Sequence, residues 1–179
     1  MWFNPATPMD ASARNALLLA FSGITAEVRS LPTGSLDWKP PGNEWSCREI
    51  VAHAAHAHDF YVMICEQVVK SGFGVVKLTR SLPGYRVMVR TNKSVKTAAS
   101  AEAAASILED RFMRLFGVLD GFGEEVLERP FTLSLDWSNE PAHSTTLRKR
   151  VIDVSTAHLV EHRAQLAETV TQWRRERPA

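Results

Sequence analysis

The segment "HLVEHRAQL", His158 to Leu166, has the spacing most able to do chemistry in this chain. Histidines four residues apart share one face of a helix, where both imidazoles can reach the same ion. Glu161 stands between them, so "HLVEH" also spells H-x-x-E-H, an inverted zinc-protease signature. In that chemistry the glutamate activates water and a third ligand follows far downstream. Here Glu161 projects about 80° from the direction bisecting the two histidines. The acidic residue that suits the helix beyond them, Glu168, is off the histidine face. The spacing therefore favours two imidazoles on one helix and speaks against a protease.

A third ligand has to come from another element, and the elements read as helices. The first runs from about Pro8 to Ser30, with Thr7 as its cap, Pro8 at the first helical position and Asp10 three residues after the cap. Pro32 ends it. The second has the clearest start: Ser46 and Glu49 form a capping box, and Trp45 can pack on Ile50 as a hydrophobic staple. It should run to about Ser71, before "SGFG". Residues 72–97 read mostly as loop, with "LPGY" a turn and "YRVMVR" alternating like a short strand. A third helix covers about Ala98 to Leu119 and stops at "DGFG". The irregular "PFTLSLDWSNEPAHSTT" leads to a last helix, about Leu147 to Arg175. Four long helices predict an all-α, four-helix bundle forming one domain over 1–179, with long irregular connections between helices 2–3 and 3–4. The pattern alone leaves the topology open.

On the last helix, Val151 and Val154 set an apolar stripe that continues through His158, His162, Gln165 and Thr169. On the second, Ile50, His53, Ala57, Phe60 and Ile64 define a similar stripe. Three histidines from two helices are thus expected to point inward. Each buried imidazole needs partners for both ring nitrogens. Three that converge can instead hold a divalent metal as a facial set, with positions left for water or substrate. Hydrogen-bonded core histidines are the competing explanation, because one i, i+4 pair arises by chance roughly one time in six in a chain this rich in histidine. His56 falls at the rim of such a site, and His58 faces solvent or another helix. His143 sits in a loop and carries no signal.

Composition excludes several classes. Twenty-one basic residues stand against 20 acidic ones, for a net charge of +1, so nothing suggests a nucleic-acid surface. No apolar run reaches the roughly 18 residues of a membrane span, and the first residues lack the pattern of a secretory signal. Cys47 and Cys65 on one helix lie roughly 27 Å apart, too far for a disulfide, and read as reduced cytoplasmic thiols. Cys47 occupies a helix's first turn, where a thiol pKa can fall, but nothing nearby in sequence supports a catalytic thiol.

"EWSCREIVAHAAHAHDFY" resembles the W-S-x-x-E-[IV]-x-x-H signature that opens the second helix of DinB-like (YfiT-like) proteins, the damage-inducible helical family. "HLVEHRAQL" resembles their late H-x-x-x-H-R-x-Q-L signature, although Ala164 stands where glycine is frequent. The resemblance implies an up-down-down-up bundle, often dimeric, with 72–97 as the crossover between parallel helices. It also implies a divalent metal, zinc or nickel with iron or manganese as alternatives, on His53, His158 and His162. Characterised relatives include transferases that use low-molecular-weight thiols, and others look like metal-dependent hydrolases. The implied function is a cytoplasmic, metal-dependent enzyme acting on a small-molecule substrate with a thiol cosubstrate. The alternatives are a hydrolase activating water at the same site and a non-catalytic metal-binding stress-response protein. Gln165 and Glu161 are candidate catalytic helpers. His56 and Tyr61 are candidate substrate contacts.

Overall fold

The structure, a computed structural model, describes residues 9–42 and 44–176. The expected cap Thr7 and Pro8 lie outside the described residues. Helix α1 (Ala11–Arg29) begins at Asp10, whose carboxylate accepts the Ala13 N–H at 3.0 Å. Asp10 is thus the cap itself rather than a residue three positions into the helix. Helix α2 (Cys47–Lys70) starts as its sequence dictates. The Ser46 hydroxyl accepts the Glu49 N–H at 3.2 Å, and the Glu49 carboxylate accepts the Ser46 N–H at 2.8 Å.

The segment expected to be loop folds into strand β1 (Val75–Leu78) and helix α3 (Pro83–Lys96). "YRVMVR" is helical, not extended. Six alternating residues fit either period, and Pro83 at the first turn favours the helix. The inner face of α3 repeats at three and four residues, through Tyr85, Met88, Thr91, Asn92 and Val95. Helix α4 (Ala101–Asp120) is capped by Ser100, and the short α5 (Glu124–Glu128) follows. The second irregular connection contains strands β2 (Pro130–Leu135) and β3 (His143–Thr146), so His143 opens a strand. A π-helical segment (Arg148–Asp153) runs into helix α6 (Val154–Glu176).

Named contacts give the helix directions. Arg29 at the end of α1 pairs with Glu102 and Glu109 early in α4, and Arg14 pairs with Asp120 at its end, so these helices are antiparallel. Arg48 donates to the Val95 and Ala98 carbonyls just ahead of α4, and Glu66 meets Arg114 further along it, so α2 and α4 are parallel. His53 and Phe60 meet His158 and Arg150 respectively, which makes α2 and α6 antiparallel. Helices 1, 2, 4 and 6 therefore run up, down, down and up. Because α2 and α4 are parallel, the strands that follow them pair parallel as well, Val75 opposite Thr132. Strand β3 closes the sheet antiparallel to β2.

Phe112 of α4 sits at the middle of the core, stacked on Phe21 at 3.7 Å between ring centroids and meeting the edge of His58 at 5.5 Å. His58, 1% exposed, therefore faces another helix, and its Nδ1 has no hydrogen-bond partner. Burial pushes its pKa down to about 3. The neutral ring folds, whereas the unfolded chain takes up a proton below about pH 6.5. Stability is then complete above the unfolded pKa and falls as pH drops toward the folded one. In chelator, denaturation of wild type should lose up to about 1.4 kcal/mol per pH unit more than His58→Leu across this window. Parallel pH curves for the two proteins would contradict the assignment.

Candidate metal centre

The three histidines meet in the groove between α2 and α6. His158 Nε2 lies 2.9 Å from His53 Nε2 and 3.0 Å from His162 Nε2. The three ring nitrogens are all within 4.8 Å of one another. His53 and His158 are half-buried, and His162 is 6% exposed. The stripe that predicted them needs one correction. Val154 is 36% exposed, while Ser155, Leu159, His162, Leu166 and Val170 form the buried face. The wider turns of the preceding π-helical segment shift the phase, so a stripe started from Val151 with a 3.6-residue period misplaces Val154.

Electrostatics keep His53 and His158 neutral. Burial, reinforced by His56, His158 and His162, lowers the His53 pKa to about 3. Burial, with His162 and His56, lowers that of His158 to about 4. His162 Nδ1 faces Gln165 Oε1 at 2.9 Å. Donating its proton there leaves the His162 Nε2 lone pair directed at the cluster.

This arrangement fits a cation. His158 Nε2 has two nitrogen neighbours at hydrogen-bond distance but only one proton or one lone pair to offer them. Nitrogens 2.0–2.1 Å from one ion and at right angles stand roughly 2.9 Å apart, close to the two spacings seen. The group can therefore hold a metal ion.

The other expected residues divide. His56 directs its Nδ1 to the Ala52 carbonyl at 3.0 Å and stands 5.0 Å, centroid to centroid, from His53. It borders the cluster without joining it. Tyr61 is 4% exposed and lines the adjoining cavity. Glu161 is exposed, hydrogen-bonds neither histidine, and lines a cavity of about 290 Å³ with Glu44, Trp45, His162 and Gln165. Asp59 is buried away from the centre, bonded to Thr91 of α3. Burial raises the pKa of Cys47 to about 11 and that of Cys65 to about 12, so neither supplies a thiolate near neutral pH.

Sequence reasoning missed several neighbours. The Trp45 ring, expected as a staple, lies 4.9 Å from His53 and 6.1 Å from His162, on the outer side of the cluster. On the inner side a cavity of about 260 Å³ opens directly onto His53 and His158. Its walls are His56, Ala57, Phe60 and Tyr61 from α2, Met88 from α3 and Trp137 from the turn after β2. Met88 and Trp137 sit in segments that carry no motif, so only the folded chain reveals them.

A family model described as the DinB superfamily matches residues 16–166, a span that includes both histidine motifs. No curated protein and no solved structure matches the chain. No helix among the described residues is long and apolar enough to cross a membrane. The chain belongs to the DinB superfamily.

Proposed function

From that membership and the geometry of the cluster, we propose that the chain holds a divalent metal ion, zinc or nickel, on His53, His158 and His162. We assign it the transfer of a low-molecular-weight thiol to an electrophilic small molecule. The observation that carries the metal reading is the close meeting of three Nε2 atoms from two helices. When bound, such an ion supplies the positive charge that lets a thiol, or a water, lose its proton near neutral pH. The chain's own residues do the rest. Gln165 fixes the tautomer and tilt of His162, Trp45 stands on one side, and the cavity leaves room for a substrate on the other.

The support for a thiol cosubstrate is the family resemblance; hydrolysis uses the same centre with water. Purified full-length protein, metal-loaded and chelated, separates these readings. A generic electrophile with a thiol should be conjugated faster by the loaded form. Equal rates with and without metal remove the transferase, and ester hydrolysis by the loaded form alone would replace it. Metal bound without either activity leaves the non-catalytic reading. Gln165→Leu should weaken metal binding by roughly 10- to 100-fold, read by competition with a chelating dye. Unchanged affinity would remove Gln165 from the centre.

The resemblance also carries a cytoplasmic homodimer. Leu19 on α1 and Val160 on α6 are 73% and 56% exposed. Arg163 covers Gly23 between these two helices, so Leu19 and Val160 stand nearly level. A partner could bury both, and a monomeric mass by light scattering would dismiss the dimer.

A further inference from the structure

The wall of the cavity beside the histidines carries no lysine, arginine, aspartate or glutamate. Phe60, Met88 and Trp137 make its body apolar, and Phe60 and Trp137 meet at 6.4 Å between ring centroids. Tyr85 backs Trp137 at 5.5 Å, so this aromatic wall is itself supported. A cavity of about 260 Å³ suits a molecule of one or two rings. A charged group placed against Phe60, Met88 and Trp137 would lose its water and find no counter-charge there.

One polar group of this wall has no task in the fold. Tyr61 is 4% exposed and lines the cavity, and its hydroxyl makes no hydrogen bond among the described residues. It is not sealed in, unlike the orphaned Ser155 Oγ and His58 Nδ1. Burial pushes its pKa up to about 12, so it keeps its proton and can donate. A phenol buried this far ordinarily has a partner. The histidine cluster does not supply one, since Tyr61 follows His53 by eight residues on α2, roughly 12 Å along the helix axis. Ala57 and Phe60 come between them, and both face the same cavity. The hydroxyl therefore awaits an acceptor from a bound molecule. A carbonyl oxygen meets that need without bringing a second donor, which Phe60, Met88 and Trp137 could not accept.

We propose that this cavity binds an uncharged, ring-containing carbonyl compound, with its ring on Phe60, Met88 and Trp137 and its carbonyl oxygen accepting a hydrogen bond from the Tyr61 hydroxyl. The inference rests on the proposed function only in making this molecule the electrophilic substrate, whose reacting end faces His53 and His158.

Titration of the full chain, metal-loaded and chelated, with 1-tetralone and its carbonyl-free analogue tetralin tests it, read from the NMR signals of the probes. Tyr61→Phe should weaken tetralone roughly 5- to 10-fold, the strength of one hydrogen bond, and leave tetralin unchanged. The loss should be the same in both forms of the protein. Because the hydroxyl bonds nothing in the fold, the variant without probe should melt with wild type. Trp137→Ala should weaken both probes about ten-fold. In chelated protein the anion 1-naphthoate should bind at least about ten-fold more weakly than tetralone. Equal effects of Tyr61→Phe on the two probes, absence of binding, or indifference to Trp137→Ala overturns the proposal. So does naphthoate binding as tightly as tetralone, or a Tyr61→Phe protein that melts well below wild type, since the hydroxyl would then serve the fold. A Tyr61→Phe loss that vanishes on chelation means that the ion holds the carbonyl, and overturns it too. Bound metal is measured on the same samples. Probe binding that persists in wild-type protein unable to hold metal removes the metal reading and leaves the cavity assignment standing, whereas metal bound without either probe removes the cavity assignment alone.

Discussion

His158→Ala is expected to abolish the proposed binding of a divalent ion. His158 Nε2 is the nitrogen within 3.0 Å of both other imidazoles, so its loss leaves two ligands on different helices. Structural zinc sites gain about 10–16 kcal/mol from four ligands, so one imidazole contributes roughly 3 kcal/mol, or about 100-fold in affinity. Elemental analysis after gel filtration should give near one metal per wild-type chain and less than about a tenth of that for the variant. The fold should survive, because a half-buried ring held neutral at a cost is being removed. An unchanged metal content in folded His158→Ala would mean that the ion is held elsewhere.

Asp59→Ala should produce the largest loss of stability outside the core aromatics. The carboxylate is 3% exposed and joins three helices. It accepts the Thr91 hydroxyl of α3 at 2.5 Å and faces Arg114 and Arg111 of α4 at 3.5 and 3.8 Å. Removing one partner of a buried pair costs about 3–5 kcal/mol, reduced here because both arginines reach solvent. A loss of about 2–4 kcal/mol is expected, with the melting temperature lower by roughly 5–15 °C. Asp59→Asn, which can still accept from Thr91, should lose less. A variant that melts with wild type would show that α3 is anchored by its apolar contacts alone.

The parts legible in the sequence were those set by local rules. Ser46 and Glu49 fixed the start of α2 because a capping box lies within four residues. His53, His158 and His162 could be chosen because helical period gives their facing directions, and their meeting follows from two helices packing face to face. Non-local pairing was not legible. Val75 finds Thr132 only after α3 and α4 have intervened, and no pattern in either short segment announces the partner. "YRVMVR" failed for a different reason: its alternation is too short to tell a strand from one face of a helix. The phase error at Val154 has a third cause, a π-helical insertion that no side-chain pattern reveals.

Met88 and Trp137 have consequences for how such a chain can change over generations. The three histidines occupy α2 and α6, the helices that pack the interior of the bundle, so the cluster keeps its place as long as the bundle does. Met88 lies on α3 and Trp137 in a turn after β2, both only half-buried. Substitution at these positions reshapes the pocket with little disturbance to the bundle. Under the proposed function, substrate preference can therefore be altered separately from reactivity, and descendants that differ in residues 83–96 and 130–146 would run one chemistry on different molecules.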